Sequence, residues 1–434
     1  MKPQNFEEKV VWYTMIGTYG LYFLGAQFPW ISAMSWFLTI YLCKKLWNQT
    51  ENTPNEERIF IPSGIWVWII SMLVMAVALV VGHLDFKLGN FQLIASLVDF
   101  TRSWALLALI PLIGCLKIRP QLIYRAACII CIHSLIVIAI SFVAIKLNFT
   151  ISYLSPLQLI GKGGRAYYQV LIGASGYDPM AAGNEVRMQL FTPWPPALGL
   201  AGNVYFFLAR EESNIKWRWI GMIGAVAMVW VSVSRAGLVC LPAVALITWI
   251  LTVIFNKPKY QIAFGIGSFF AGIVAPVVID FFNTARDSFT NARAGSSKVR
   301  KILKEIELYR WKEAPIWGHG ISEYPGPKVT EHMPIGSHDT WIALLYVRGS
   351  VGCMALAFAM LWSFVSLLVK AQSSTTARVG LSIVLVLCIF GFSEGLDILA
   401  YTYWPGLLMM GIAFKEKLPT FITTHDNKRE TVCP

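Results

Sequence analysis

The sequence predicts an all-α, polytopic membrane protein, on the strength of its composition and of its long apolar runs. The 434 residues are 56% hydrophobic and 14% charged, and their mean hydropathy is +0.58. Such a chain is too apolar for a water-soluble globule. Runs of roughly 17 to 25 apolar residues recur from Val10 to Phe414, and each is long enough to cross about 30 Å of hydrocarbon as a helix. We therefore expect a single integral membrane domain over residues 1–434.

Twelve transmembrane helices are predicted along the chain. They fall at about 10–28, 29–47, 62–82, 101–116, 121–145, 189–208, 218–234, 236–255, 260–281, 339–369, 379–393 and 395–414. The N-terminal stretch has no small-residue cleavage site after a short apolar run, so the first run is expected to be a retained helix.

The short loops predict the orientation, because Lys and Arg tend to stay on the cytoplasmic side. With the N-terminus inside, most short loops on that side are basic, from Lys44 and Lys45 to Lys415 in the tail. The opposite, outer side then receives two long loops, 146–188 and 282–338. Short outer turns are expected near 83–100, 234–236 and 393–397. Function is expected on this outer face.

Eight cysteines lie in predicted helices or on the cytoplasmic side, so no disulfide framework is expected in the outer loops. Cys128 and Cys131 lack companion ligands for zinc and are interpreted as small buried residues. His83 and His133 are interpreted as packed, structural histidines. The formal charge of +12 is spread over loops and includes no nucleic-acid-binding motif.

The first long outer loop is rich in glycine and proline, which predicts no regular element within it. Pro193, Pro195 and Pro196 then bend or unwind the outer end of the sixth helix. Loosened backbone at that depth is tolerated beside a cavity or when buried in protein. We therefore expect Arg187, just before this stretch, to point into a polar cavity at the outer membrane surface.

Arg235 lies between two apolar runs in a very short outer turn with no acidic neighbour. A permanent guanidinium at that position costs a few kcal/mol unless it meets an anion or carbonyl groups. The alternatives are an anion-binding arginine and a snorkelling arginine at a helix end.

The second long outer loop contains a predicted amphipathic helix from Ser296 to Ala314, ended by Pro315. Its apolar residues recur at positions i, i+3, i+4 and i+7; they are Val299, Ile302, Leu303 and Ile306. The helix is expected to lie along the membrane surface. Arg300 falls on one flanking stripe, whereas Arg310 turns back toward the apolar side. Binding of lipid headgroups is the alternative role for such a helix.

His338 lies where this loop re-enters an apolar run, in the stretch Gly336-Ser337-His338-Asp339. An imidazole there could exchange a proton near neutral pH, and nearby arginines would favour its neutral form. A capping role at a helix start is the alternative. Glu394 and Asp397 in the last outer turn are expected to form structural ion pairs with the arginines, and orientation of sugar hydroxyls is the alternative.

These residues resemble the signature shared by O-antigen ligases and the related O-antigen polymerases. His338 and Asp339 are followed by nine residues, Gly349, two residues and Gly352. Other landmarks follow the same order: Arg187 before Thr192-Pro193, then Ser234-Arg235-Ala236, then Arg300 before Pro315-Ile-Trp-Gly-His-Gly320. The resemblance covers residues 187 to 370, and the first half matches only in hydropathy. Asp339 departs from the family, in which Asn or Ser is commoner after the histidine.

The resemblance implies a glycosyltransferase with a membrane fold of the C type. It would transfer a preassembled O-antigen chain from undecaprenyl diphosphate to a sugar of lipid A-core in lipopolysaccharide biosynthesis. The reaction would occur at the periplasmic face of the bacterial inner membrane, which makes 146–188 and 282–338 periplasmic loops. His338 would be the general base, and Arg187, Arg235, Arg300 and Arg310 would bind the diphosphate. No metal or cofactor is expected, and direct displacement would invert the anomeric centre.

Other functions stay open at this point. A polymerase would use a second lipid-linked glycan as acceptor, and a protein O-oligosaccharyltransferase would use a Ser or Thr side chain. A transporter of lipid-linked glycans would also need many helices and buried cations. Against transport, the sequence has no inverted repeat, and its polar residues gather on one face rather than at midplane.

Overall fold

The computed structural model describes residues 1–54, 58–159, 164–173, 186–254, 294–330, 332–337 and 339–417. Helices dominate these ranges. The first seven are α1 (Phe6–Ile16), α2 (Thr18–Phe23), α3 (Gln27–Trp47), α4 (Ser63–Asp85), α5 (Asn90–Arg102), α6 (Leu106–Ile113) and α7 (Pro120–Lys146). The next seven are α8 (Pro195–Arg210), α9 (Ile215–Ser232), α10 (Arg235–Trp249), α11 (Ala294–Trp311), α12 (Thr340–Ala371), α13 (Thr375–Phe390) and α14 (Leu396–Ala413). Short 3₁₀ segments occur at Pro156–Leu159, Arg165–Tyr167 and Lys328–Thr330, and a π-helical turn at Ile250–Ile254.

Five helical segments are long and apolar enough to cross a membrane: Ser63–Asp85, Asn90–Ile113, Pro120–Lys146, Arg235–Val253 and Thr340–Ala371. The chain is therefore a mainly helical, membrane-embedded protein. The predicted span 260–281 lies outside the described residues. The prediction of twelve spans stays a prediction.

Two predicted outer segments are more regular than expected. The segment 83–100 was predicted as a short turn, but α5 already begins at Asn90, so its helix joins the apolar run that follows. The loop 146–188 was predicted to lack regular elements. It contains an antiparallel pair of strands, β1 (Ile151–Leu154) and β2 (Gln169–Ile172). Both strands carry β-branched or aromatic residues, and pairing satisfies their backbone groups despite the neighbouring glycines.

The centre of the bundle is α14, which is buried along almost its whole length. A helix that is apolar on all sides belongs in a core, and small residues allow its neighbours to approach closely. A Cβ atom on Gly411 would lie 2.1 Å from the carbonyl oxygen of Pro111 in α6, so only glycine fits at that contact. The tightly packed α14 fixes the position of the loop 391–395 that precedes it.

The predicted amphipathic helix is present as α11, and its apolar stripe packs on protein. Val299 and Leu303 are buried against Ile335 and Tyr346. Because Tyr346 belongs to α12, the basic flank of α11 is held beside the start of a membrane-spanning helix. The expectation of a helix that lies along the membrane surface omitted this contact.

The backbone of α12 is interrupted at Gly349, which has φ 63° and ψ −169°. The segment Pro315–Gly320 docks at this break. The backbone N–H of Ser350 donates to the carbonyl oxygen of Pro315 at 2.9 Å, and the N–H of Gly320 donates to that of Val347 at 2.9 Å. A Cβ atom at Gly349 would lie 2.2 Å from the carbonyl oxygen of Ile316, so both the positive φ and the close contact require glycine. Two separate landmarks of the sequence thus form one structural unit.

Residues that were predicted to share a membrane side also contact one another. We use "inner end" for the helix ends that carry Glu7, Glu8, Lys45, Arg119, Arg125 and Glu212. Glu8 Oε1 lies 2.7 Å from Arg119 Nε, and Glu212 Oε1 lies 2.8 Å from Arg125 Nη2. We use "outer end" for the opposite helix ends, with α11, the turn 232–235, the loop 391–395 and the start of α12.

Candidate functional site

Two of the predicted arginines, Arg187 and Arg235, lie at the turn between α9 and α10. Ser234 caps α10 by accepting a hydrogen bond from the N–H of Gly237 at 3.2 Å, and Arg235 is the first helical residue. Arg187 Nε donates to the carbonyl oxygen of Ser232 at 3.4 Å. Val233, within the turn, has a left-handed φ of 48°. This conformation is unusual for a β-branched residue, and such strain concentrates at functional sites.

Arg300 reaches the same region from α11 through the buried carboxylate of Glu394. Arg300 Nη2 lies 3.7 Å from Glu394 Oε1, and Trp194 Nε1 donates to Glu394 Oε2 at 2.9 Å. Burial raises the pKa of Glu394. The charges of Arg300 and Arg187 and the bond from Trp194 lower it only in part, so the pKa stays above its ordinary value. Arg187 and Arg300, 113 positions apart in the chain, therefore act on one carboxylate.

Beside Arg300 lies a basic groove, which we define by Arg300, Lys301, Lys304, Glu305, Asp339, Phe392 and Ser393. Its volume is about 440 Å³. Lys304 Nζ lies 3.1 Å from Asp339 Oδ2, and Asp339 Oδ1 accepts from the N–H of Ile342 at 2.7 Å as the N-cap of α12. Asp339 thus links the groove to the start of α12.

His338, the predicted base, lies outside the described residues. Its neighbour Asp339 is described, and Thr340 is anchored on both sides. Thr340 Oγ1 donates to the carbonyl oxygen of Glu394 at 2.7 Å and accepts from the N–H of Leu396 at 3.0 Å. These bonds hold the residue after Asp339 against the loop that carries Glu394. The catalytic role of His338 stays a prediction.

Arg310 is directed away from the other arginines. It forms ion pairs with Glu313 and Glu323, and its guanidinium lies 5.5 Å from the centre of the Tyr346 ring. Ten residues separate it from Arg300, which corresponds to about 15 Å along a helix. Glu313 and Glu323 already pair with its guanidinium, so the structure does not bring Arg310 to the predicted diphosphate site.

A second space at the outer end was not predicted. We call it the mixed-charge cavity and define it by Asp99, Tyr167, Ser322, Asp339, Arg348 and Asp397 among its lining residues. Its volume is about 430 Å³. Arg348 is 7% exposed, and its Nη1 donates to the carbonyl oxygen of Gly320. The sequence feature that could have predicted this space is Arg348 itself, an arginine inside the predicted apolar run 339–369, because intramembrane charges mark functional sites.

Glu307 is a further residue that sequence patterns did not single out. It is fully buried on α11, and its Oε1 accepts from the N–H of Gly336 at 2.7 Å. In the described part of the chain its Oε2 has no hydrogen-bond partner. Burial raises the pKa of Glu307 to about 7, and the nearby Asp339 contributes in the same direction. Glu307 therefore holds the backbone two residues before His338.

Metal ligation is not indicated by the described residues, in which no group of three or more His, Cys, Asp and Glu side chains is placed to hold an ion. The expectation of a metal-independent site stays a prediction. The arrangement offers guanidinium and ammonium groups instead, which bind phosphate oxygens through charge-assisted hydrogen bonds.

Neither a protein-family model nor a curated protein matches this chain. Function is therefore inferred from the residues and charges at the outer end, together with the resemblance of the sequence motifs.

Proposed function

We propose that the chain is an O-antigen ligase, a glycosyltransferase of the C-type membrane fold with about twelve transmembrane helices. It transfers a preassembled O-antigen chain from undecaprenyl diphosphate to a sugar of lipid A-core. The outer end faces the periplasm from the bacterial inner membrane. The donor's lipid tail lies in the bilayer, and its diphosphate lies at the headgroup level.

One observation supports this proposal most. Basic residues from separate segments converge at the outer end: Arg187 before α8, Arg235 at the start of α10 and Arg300 on α11. Glu394 lies 3.7 Å from Arg300, and burial keeps the pKa of this carboxyl above its ordinary value. Guanidinium groups bind diphosphate oxygens through paired, charge-assisted hydrogen bonds, so this group of arginines suits the donor's diphosphate.

The same residues fit the bond changes of glycosyl transfer. A hydroxyl oxygen of the acceptor sugar attacks the anomeric carbon of the donor, and the bond from that carbon to the diphosphate oxygen breaks. His338 takes the hydroxyl proton, a contribution of about 10²–10⁴ in rate. Arg300, Arg235 and Arg187 stabilise the negative charge that grows on the departing diphosphate. Direct displacement inverts the anomeric centre.

The test is transfer in vitro with purified protein, an undecaprenyl-diphosphate-linked glycan and lipid A-core, in EDTA. Wild type is compared with His338→Ala and Arg300→Ala. Lys298→Ala is the matched control, because Lys298 is exposed on the same helix and does not line the basic groove. We expect product from wild type and the control only, and retained donor binding by His338→Ala.

Other products would replace the proposal. Extension of the lipid-linked glycan would indicate a polymerase, and modification of Ser or Thr in an added protein would indicate an O-oligosaccharyltransferase. Donor binding without any product from wild type would favour a transporter. Transfer that stops in EDTA and returns with a divalent cation would contradict the metal-independent mechanism.

A further inference from the structure

Two spaces of similar size meet at Asp339. The basic groove of about 440 Å³ lies on one side, and the mixed-charge cavity of about 430 Å³ lies on the other. Asp339 lines both of them, and its side chain is fixed by the cap on Ile342 and by Lys304. A two-substrate enzyme needs such an arrangement, because the two reacting groups must meet at a shared boundary.

The lining residues of the two spaces have net charges of opposite sign. The groove has Arg300, Lys301 and Lys304 against two carboxylates, those of Glu305 and Asp339. The cavity has Arg348 against Asp99, Asp339 and Asp397. Like charges within about 4–6 Å oppose each other strongly. The cavity therefore disfavours a diphosphate, whereas the groove attracts one.

The polar groups of the cavity suit a neutral, polyhydroxylated ligand. Carboxylates accept hydrogen bonds and a guanidinium donates them, whereas a sugar hydroxyl does both. Aromatic side chains complete the walls, among them Phe28, Trp104 and Tyr167. Apolar and aromatic walls with a few convergent polar groups are typical of small-molecule sites.

Arg348 is the side chain in the cavity that most clearly indicates a role in ligand binding. Its side chain is more than nine-tenths buried, and its Nε has no hydrogen-bond partner in the part of the chain that the structure describes. The docked segment 315–320 holds the guanidinium in place through the carbonyl oxygen of Gly320. A buried donor without a partner is costly, and a ligand oxygen in the cavity would satisfy it.

We propose that the mixed-charge cavity binds the acceptor sugar through Arg348 and Asp397, and that Asp339 separates it from the basic groove, where Arg300 contacts the donor's diphosphate. This assignment rests on the proposed ligase function. It predicts that acceptor and donor affinities respond to different residues.

Saturation kinetics would test the assignment. Asp397→Asn keeps the side-chain volume and should raise the acceptor KM about tenfold or more while the donor KM changes less than about twofold. Arg300→Gln should show the reverse pattern. Asp99→Asn, at an exposed position of the cavity rim, is a second variant with little risk of misfolding. Asp85→Asn is the matched control, because Asp85 is an exposed carboxylate outside the cavity.

Direct binding separates this inference from the proposed function. Deacylated lipid A-core oligosaccharide is titrated into detergent-solubilised wild type and Asp397→Asn without donor, and inorganic pyrophosphate is added as competitor. We expect binding about tenfold weaker in the variant, and no displacement by pyrophosphate.

Each other result decides one of the two ideas. If the oligosaccharide binds in a manner that depends on Asp397 but no transfer occurs, the ligase function is wrong and the sugar site is supported. Transfer with an unchanged acceptor KM in Asp397→Asn and Asp99→Asn would sink the sugar site and keep the ligase. Displacement by pyrophosphate, or no binding to wild type, would overturn the inference.

Discussion

Buried carboxylates are paired closely with arginine at the inner end of the helix bundle and less closely at the outer end. At the inner end, Glu212 accepts two hydrogen bonds from Arg125, at 2.8 and 3.1 Å. At the outer end, Glu394 lies 3.7 Å from Arg300 and also interacts with the charge of Arg187. The first arrangement is a tight pair of one acid and one base. The second is one acid at a longer distance from Arg300, and the charge of Arg187 also acts on it.

The pKa directions follow from that geometry. Burial raises the pKa of Glu212, but the bonds from Arg125 and from the N–H of Asn214 outweigh burial and lower the pKa overall. For Glu394, burial prevails and the pKa is raised. A tight pair is satisfied internally and supports the fold. The longer distance from Arg300 to Glu394 allows the partly exposed guanidinium of Arg300 to bind an incoming anion.

The largest expected effect is that a substitution at the outer end impairs transfer, whereas a substitution at the inner end impairs stability. Arg300→Ala should lower transfer about 10²–10³-fold, because charge stabilisation of the leaving diphosphate is lost. Its unfolding temperature should change little, because the side chain of Arg300 is 42% exposed. Arg125→Ala should do the opposite and lower the unfolding temperature. Steady-state kinetics measure the transfer rate, and thermal unfolding in detergent measures the unfolding temperature. The comparison would be refuted if Arg300→Ala lowered the unfolding temperature while Arg125→Ala lowered only the transfer rate.

The next effect is a pH dependence of opposite sign at the two ends. The pKa of Glu307 in the folded protein, about 7, is above its ordinary value of 4.5. Its contribution to stability is therefore complete below about pH 4.5 and is lost as the pH rises through about 7. The loss is on the order of 3 kcal/mol. Glu212, with a lowered pKa, contributes stability above about pH 4.5 that is lost as the pH falls.

Denaturant unfolding between pH 5 and 8 would measure this dependence. Glu307→Gln should flatten the decline above pH 5 while keeping an acceptor for the N–H of Gly336. Glu305→Gln is the control, because the side chain of Glu305 is 64% exposed on the same helix. An unchanged pH profile in Glu307→Gln would show that Glu307 does not titrate in this range.

A smaller effect compares the two acids directly. Glu212→Gln should destabilise the fold by about 1–3 kcal/mol, because Arg125 loses its charged partner. Glu394→Gln should cost less, since its amide can still accept the bond from Trp194. Unfolding free energies at pH 7 provide the measurement. A greater loss for Glu394→Gln would mean that the outer arrangement is also a structural pair.

The smallest effect concerns the rim of the basic groove. Lys304→Gln should weaken donor binding a few-fold, because Lys304 is 35% exposed and already paired with Asp339. The difference from wild type should shrink between 50 and about 500 mM salt, since exposed charges are screened. Donor titration at both salt concentrations would detect it, and a salt-independent loss would place Lys304 inside the site.

The sequence by itself determined the local features of this protein. Apolar runs predicted α3, α4, α7 and α12 within a few residues, because membrane spans depend on composition and length. The i, i+3, i+4 and i+7 pattern predicted α11, since one helix face is a property of neighbouring positions. Arg187 was singled out beside a proline-rich stretch, Arg235 in a very short outer turn, and Arg300 on a flank of the amphipathic helix.

Only the tertiary structure decided which of those residues meet. Trp194 and Arg300 converge on Glu394, and the segment 315–320 enters the break at Gly349. Arg310, on the same helix as Arg300, is instead paired with Glu313 and Glu323. The physical reason is that such contacts depend on how distant helix faces pack and on which polar groups burial leaves to be satisfied. No local pattern carries that information.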